Sequence, residues 1–162
     1  MAAENKERTL VIIKPDAVNR ALAGQILARF ERKGYKIVGM KMEHLEQYKL
    51  KEHYAHHSDK AFYNELIEFM SSIPSILAVV EGKDVVNVIR KMVGATNGRD
   101  AEPGTVRGDF SISNQQNLIH ASATTEEAEG EIKRFFKPGE MYDYRKMNFD
   151  WIYASTEKEG LE

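Results

Sequence analysis

The order of strand-like and helix-like segments predicts an α/β chain, an α+β sandwich of ferredoxin-like type. In that βαββαβ layout a four-stranded, largely antiparallel sheet is covered by helices. Three observations carry the expectation. Short apolar runs bounded by turn residues recur along the chain, amphipathic stretches of helical period separate them, and a long aperiodic loop precedes the last run. With 162 residues and no cysteine, the chain has the size of one ordinary domain that builds its core without disulfides. A single domain over 1–162 is expected, with flexible ends at 1–8 and 155–162.

Taken in order, residues 9–14 (TLVIIK) form a β-branched apolar run stopped by Pro15, which reads as a buried strand delivering Lys14 to its end. After a turn at Asp16 and Asn19, Leu22, Ile26, Leu27 and Phe30 share one helical face, and Lys33-Gly34 is a stop signal. Val38, Met40 and Met42 then alternate with Gly39, Lys41 and Glu43, as in a half-buried strand. Residues 45–54 are helical but polar, residues 56–60 form a turn, and Phe62, Leu66, Phe69 and Met70 repeat at helical spacing up to the break before Pro74. These two helices read as a hairpin.

Residues 75–81 (SILAVVE) are a continuous apolar run between Pro74 and Gly82, expected as a central strand. Val85, Val88, Ile89 and Met92 mark a helix ending at Gly94, with Arg90 off its apolar stripe. Residues 94–116 lack periodicity, and loops of such length are usually functional or disordered. Val106 and Phe110 suggest that this one packs down. Residues 117–120 supply the last strand, and Thr124-Thr125-Glu126-Glu127 fits a capping box opening a helix that turns Ala128, Ile132, Phe135 and Phe136 inward. Residues 137–162 read as a wrapping tail.

The formal net charge of -2 steers the chain neither to nucleic acid nor to anionic membranes, so any phosphate site must be built locally. No run approaches the roughly 18 apolar residues of a membrane span, and residues 1–8 lack the apolar stretch of a secretion signal. A cytoplasmic protein is the expectation.

His120 stands between a short apolar run and a helix start, with Arg107 and Asn117 upstream. Either it is a base, nucleophile or ligand, or it merely closes a strand. No glycine-rich phosphate loop is present; instead Lys14, Arg90 and Arg107 either converge on a polyphosphate or are separate surface charges. Glu131, on the following helix, is placed to fix the tautomer of His120. Tyr54 and Phe62 flank a histidine-rich turn, as packing or as a clamp for a planar ligand. His53 and His57, at i, i+4 spacing, raise a zinc site, but without a matching cysteine or carboxylate a solvated turn is the ordinary reading. Arg107-Gly108-Asp109 mimics an adhesion tripeptide by chance; a tight turn in the loop suffices.

Together, Lys14-Pro15-Asp16, Tyr54, Phe62, Arg90, Thr96, Arg107-Gly108-Asp109-Phe110 and the run Asn117-Leu118-Ile119-His120-Ala121-Ser122 closely resemble the nucleoside diphosphate kinase family. The resemblance extends from Thr9 to about Tyr153. It implies transfer of the γ-phosphate of a nucleoside triphosphate to a nucleoside diphosphate, in a ping-pong exchange through a phosphohistidine on His120. By the same resemblance Lys14 contacts phosphate and the ribose hydroxyl, Tyr54 reaches the transferred phosphate, and Phe62 stacks on the base. Arg90, Thr96 and Arg107 hold the phosphates, Asn117 bonds the ribose, and Ser122 with Glu131 orients His120. Mg²⁺ is implied as a passenger of the nucleotide phosphates, with no metal ligand from the protein.

A symmetric homo-oligomer is implied too, a hexamer in preference to a tetramer, because the tail ending in Trp151-Ile152-Tyr153 resembles the hexameric kind. Near-zero charge argues against nucleic acid as the main partner. Two departures stand out: the family commonly reads His-Gly-Ser-Asp where this chain has His120-Ala121-Ser122-Ala123, so a glycine and a carboxylate are missing. Activity is expected to survive both, since neither residue is the nucleophile, with rate and stability affected; Asn114 also occupies a loop position that is often apolar, which bears on loop packing. The competing reading is a binding module that keeps the fold and the pocket without turnover.

Overall fold

The computed structural model describes residues 6–162, so residues 1–5 of the expected flexible N-terminus lie outside the described residues. In chain order the principal elements are β1 (Glu7–Ile13), α1 (Pro15–Asn19), α2 (Ala23–Lys33), β2 (Lys36–Glu43), α3 (Gln47–His53), α4 (Tyr63–Met70) and β3 (Ser75–Gly82). There follow α5 (Val85–Val93), α6 (Val106–Phe110), β4 (Ile119–Ala121), α7 (Thr125–Phe135) and α8 (Phe149–Ile152). The strands lie in the order β2-β3-β1-β4, and every neighbouring pair is antiparallel. This is the ferredoxin-like arrangement expected.

The apolar runs are continuous because both faces of the sheet are covered. Successive side chains of a strand point to opposite faces, so Val11 and Ile13 join one core with Ile26 and Phe30 of α2 and Ile89 of α5. Leu10 and Ile12 join the other, with Leu50 of α3, Leu66 and Met70 of α4, and Ile132 and Phe135 of α7. Full burial of each such side chain contributes roughly 1.5–3 kcal/mol. Gly34 ends α2 in the left-handed conformation (φ 113°), as its stop signal predicts.

Three expectations are corrected. In β2 the register shifts between Ile37 and Gly39, and beyond this bulge Met40 and Met42 are 57% and 60% exposed instead of half-buried. A period of two cannot announce the extra residue. The long loop is not structureless: α6 lies within it, opened by Thr105, whose hydroxyl accepts from Gly108 N at 3.0 Å. Arg107-Gly108-Asp109 is therefore helical, not a tight turn, and Gly108 is required because a Cβ there would stand 1.9 Å from the Glu102 carbonyl oxygen. Third, Glu7 and Arg8 pair with Gly82 and Glu81 in β1, while the 155–162 end carries a short 3-10 turn (Ser155–Glu157) and buries Leu161. Among the described residues no helix is long and apolar enough to cross a membrane.

Candidate active site

A cavity of about 860 Å³ opens beside the end of β1 and the start of β4, and Lys14, Tyr54, Phe62, Arg90, Thr96, Arg107, Asn117, His120 and Glu131 all line it. Of the site residues expected from sequence only Ser122 is not on its wall; that side chain is fully buried behind it.

The chain reaches this arrangement through local backbone devices. Pro15 halts β1 and starts α1, leaving Lys14 at the junction with its amide donating to Leu118 O at 2.9 Å. Leu118 adopts a left-handed backbone (φ 76°), unusual for a branched apolar residue, and its amide donates to Asp16 Oδ2 at 3.1 Å. The chain then enters β4, where His120 sits opposite Ile12 of β1. Thr124 caps α7 by accepting from Glu127 N at 3.1 Å, which fixes where Glu131 falls on that helix.

Lys14 is 7% exposed, and its ammonium donates to Asn117 Oδ1 at 2.7 Å. Asn117 in turn donates to the carbonyls of Thr96 and Asn114, both at 2.9 Å, tying the long loop to the strand end. Burial and the nearby Arg107 charge lower the Lys14 pKa to about 8, against a smaller raising effect of Asp16. Arg107 donates to the carbonyls of Asn117 (3.1 Å), Gly94 (3.0 Å) and Ile119 (2.6 Å). A guanidinium has five N–H donors, so two remain for a ligand. Its own pKa is lowered to about 10 by burial and Arg90. The Arg90 guanidinium donates to Ala121 O at 3.5 Å. Among the described residues no carboxylate stands within ion-pair distance of Lys14, Arg90 or Arg107. Asp16 acts on Lys14 and Arg107 from longer range, so the three cations keep a surplus of positive charge that attracts anions.

Glu131 Oε2 accepts from His120 Nε2 at 2.5 Å. Burial alone would push the Glu131 carboxyl up, but the bond and charge of His120, with Ser122 and Arg134, hold it below the usual range. An ionised carboxylate can only accept, so Nε2 carries the proton that faces Glu131. Ser122 Oγ accepts from Leu10 N at 3.1 Å and so locks β4 onto β1 directly after His120. The arrangement sets an imidazole held by a carboxylate beside a cluster of cations.

At the other end of the cavity, Phe62 is 41% exposed and meets the His57 ring at 5.4 Å, with His57 also stacked on Tyr54 at 6.4 Å. The Tyr54 hydroxyl is buried and has no hydrogen-bond partner among the described residues. Ala121 lies in regular β4 opposite Val11, and exposed Ala123 borders the cavity, so neither departure from the family pattern displaces His120.

Sequence reasoning missed His53. It is buried, not part of a solvated turn, and it meets Glu131 and His120 instead of pairing with His57. Leu50, His53 and Tyr54 fall at i, i+3, i+4 and are all buried, a spacing that could have revealed its inward direction. Nitrogens of His53 and His120 and an oxygen of Glu131 lie within 4.8 Å of one another, a spacing that metal ligands also adopt. Here the Arg134 guanidinium stands 3.3 Å from His53 Nδ1, where a cation would be repelled.

A sequence profile described as nucleoside diphosphate kinase matches residues 7–141. A nucleoside diphosphate kinase of Thermococcus kodakarensis is 47% identical over all of this chain and 96% of its own length. One from Methanocaldococcus jannaschii is 52% identical, over 85% of this chain and 99% of its own. The solved structure of a halophilic nucleoside diphosphate kinase from Halobacterium salinarum, in complex with CDP, superposes with a TM-score of 0.90 at 42% identity, covering 92% of this chain and 99% of that one. With the profile spanning most of the sequence and the fold shared, the chain belongs to the nucleoside diphosphate kinase family.

Proposed function

We propose that this chain moves the γ-phosphate of a nucleoside triphosphate to a nucleoside diphosphate, with His120 as the transient phosphate carrier. Family membership supports the reaction. The single observation that carries the residue assignment is the pairing of His120 Nε2 with Glu131 beside three cations that lack carboxylate partners.

In the first half-reaction the Nδ1 lone pair of His120 forms a bond to the γ-phosphorus as the bond to the β–γ bridging oxygen breaks. The electron pair leaves with the nucleoside diphosphate, and the phosphorylated ring carries a positive charge that Nε2–H shares with Glu131. In the second, a terminal oxygen of the acceptor diphosphate attacks the same phosphorus, the N–P bond breaks, and the ring returns to neutral. Lys14, Arg90 and Arg107 stabilise the charge spread over the equatorial oxygens. Tyr54 donates to the transferred group, Thr96 and Arg90 hold the remaining phosphates, Asn117 and Lys14 bond the ribose, and Phe62 stacks on the base. Stacking uses a π-face that every base has, so discrimination among bases is weak.

A divalent ion fits this site only as part of the substrate. Glu131 is committed to His120 and Glu52 to Arg134 at 3.2 Å, which leaves Glu127 as the remaining carboxylate of the wall, too little for a cage. Mg²⁺ arriving on the polyphosphate neutralises its oxygens. We further propose that residues 1–162 act as one domain, in the cytoplasm, within a hexameric homo-oligomer.

Incubation with γ-labelled ATP and Mg²⁺, followed by isolation at alkaline pH, tests the assignment. Acid-labile, alkali-stable label on His120 is expected. A protein that turns over nucleotides but never carries label there would overturn it.

A further inference from the structure

We infer that Asp16 is a positioning residue for phosphoryl transfer, its carboxylate holding the backbone turn that sets His120 against the cradle. The inference rests on the reading of His120 as the phosphate carrier. Residues 117–119 form a three-residue turn, in which Ile119 N donates to Asn117 O at 2.9 Å around Leu118 at φ 76°. With a positive φ at its centre this is the rarer, strained form of the γ-turn. Such a turn satisfies only its outer residues, so the amide and carbonyl of the middle one need partners elsewhere. Leu118 is fully buried, and water cannot supply them.

Both partners come from the corner between β1 and α1. Lys14 N donates to Leu118 O at 2.9 Å, and Asp16 Oδ2 accepts from Leu118 N at 3.1 Å. The first bond is backbone to backbone and available to any residue at position 14 except proline; the second depends on one side chain. Around the turn stand the groups whose mutual placement the chemistry needs. Asn117 Oδ1 takes the Lys14 ammonium at 2.7 Å, Arg107 donates to the carbonyls of Asn117 and Ile119 at 3.1 and 2.6 Å, and His120 follows directly. A turn that relaxed toward an ordinary backbone would carry Asn117 and His120 out of step with Lys14 and Arg107.

A second reading of Asp16 is that its charge keeps the cradle protonated, since it raises the pKa values of Lys14 and Arg107 against the larger lowering by burial and neighbouring cations. The geometry favours the hydrogen bond. Among the described residues neither Lys14 nor Arg107 comes within ion-pair distance of Asp16, and its Oδ1 is buried without a hydrogen-bond partner, whereas Oδ2 is aimed at the Leu118 amide. A carboxylate beside a phosphate site also opposes anion binding, so its presence there asks for a structural reason.

Two variants separate the acceptor from the charge. Asp16→Asn keeps an acceptor for Leu118 N and removes the charge, whereas Asp16→Ala removes both. At saturating labelled ATP the rate of His120 phosphorylation should fall about 5- to 100-fold in Asp16→Ala, the population shift that one unpaired buried donor brings. ADP affinity should be unchanged or tighter, because a negative charge has left the cradle. In Asp16→Asn the rate should stay within about threefold of wild type. Equal losses of rate in both variants would assign the effect to the charge, and no loss in Asp16→Ala would leave the turn without need of its anchor; either result overturns the inference. Parallel losses of rate and ADP affinity in Asp16→Ala, the mark of general disruption, would overturn it too. Isotope-labelled wild-type protein gives a readout that needs no variant: NMR should detect a scalar coupling between the Leu118 amide nitrogen and the Asp16 carboxyl carbon, and its absence would overturn the inference. Absence of label on wild-type His120 would instead condemn the reading on which it rests.

Discussion

The two ends of strand β1 treat buried charge in opposite ways. At its start, Arg8 meets Glu81 of β3 at 2.8 Å, and Lys36 of β2 meets the same carboxylate at 2.7 Å. Burial would raise the Glu81 pKa, but Lys36 and Arg8 hold it low. Just past the other end, Lys14 shares its surroundings with Arg107, donates to the neutral Asn117, and has Asp16 only at longer range. Charges that satisfy one another hold strands in place. Charges left without a partner inside the fold are a standing cost to stability, and a bound polyphosphate would offset it.

The contrast can be broken by substitutions on either side. The largest effect falls at the open end: His120→Ala should abolish phosphate transfer by several orders of magnitude while nucleotide binding, measured by calorimetry, persists. Residual transfer near the wild-type rate would mean that another nucleophile operates. At the closed end, Glu81→Gln should cost about 3 kcal/mol of stability in urea unfolding, and leave transfer unchanged under native conditions. If activity fell instead, the two ends would not be independent.

Between these lies Phe62→Ala, expected to weaken nucleotide binding by about 1–3 kcal/mol with little change in unfolding midpoint, because the ring is substantially exposed. Unchanged affinity would make the ring mere packing. The smallest effect concerns pH. The Lys14 pKa is lowered from 10.5 to about 8. Between those values the unfolded chain binds a proton that the native chain has released, so this residue makes stability rise with pH across the window. Over the same range the cradle loses a charge, and nucleotide affinity should fall by about tenfold at most. A flat affinity profile through pH 8 would show that the site retains its proton.

Legibility in the sequence followed the same division. Lys14 was conspicuous because a cation at the end of an apolar run has no ordinary reason to be there, and His120 because its flanks mark a strand end and a helix start. The central strands announced themselves as continuous apolar runs and the larger helices through periodicity. What stayed hidden depended on tertiary contacts. The bulge at Ile37/Gly39 is a matter of pairing with β3, and α6 is too short at five residues to show a period. His53 looked like a member of a surface histidine cluster, since its burial depends on α7 and β4, far along the chain. That Arg107 is pinned by three carbonyls was equally invisible, because its partners come from loop and strand backbone.

The left-handed Leu118 has a consequence for the time course of folding. A branched apolar residue in that conformation stores about 1–3 kcal/mol, and it guards the entry to a strand of only three residues at the sheet edge. Docking that strand on β1 closes a loop of more than a hundred residues, as the bond from Leu10 N to Ser122 Oγ spans 112 positions. The three longer strands can collapse together before this happens. In refolding, native helical signal should therefore return before competence to accept phosphate, because the nucleophile rides on the last piece of sheet to click home.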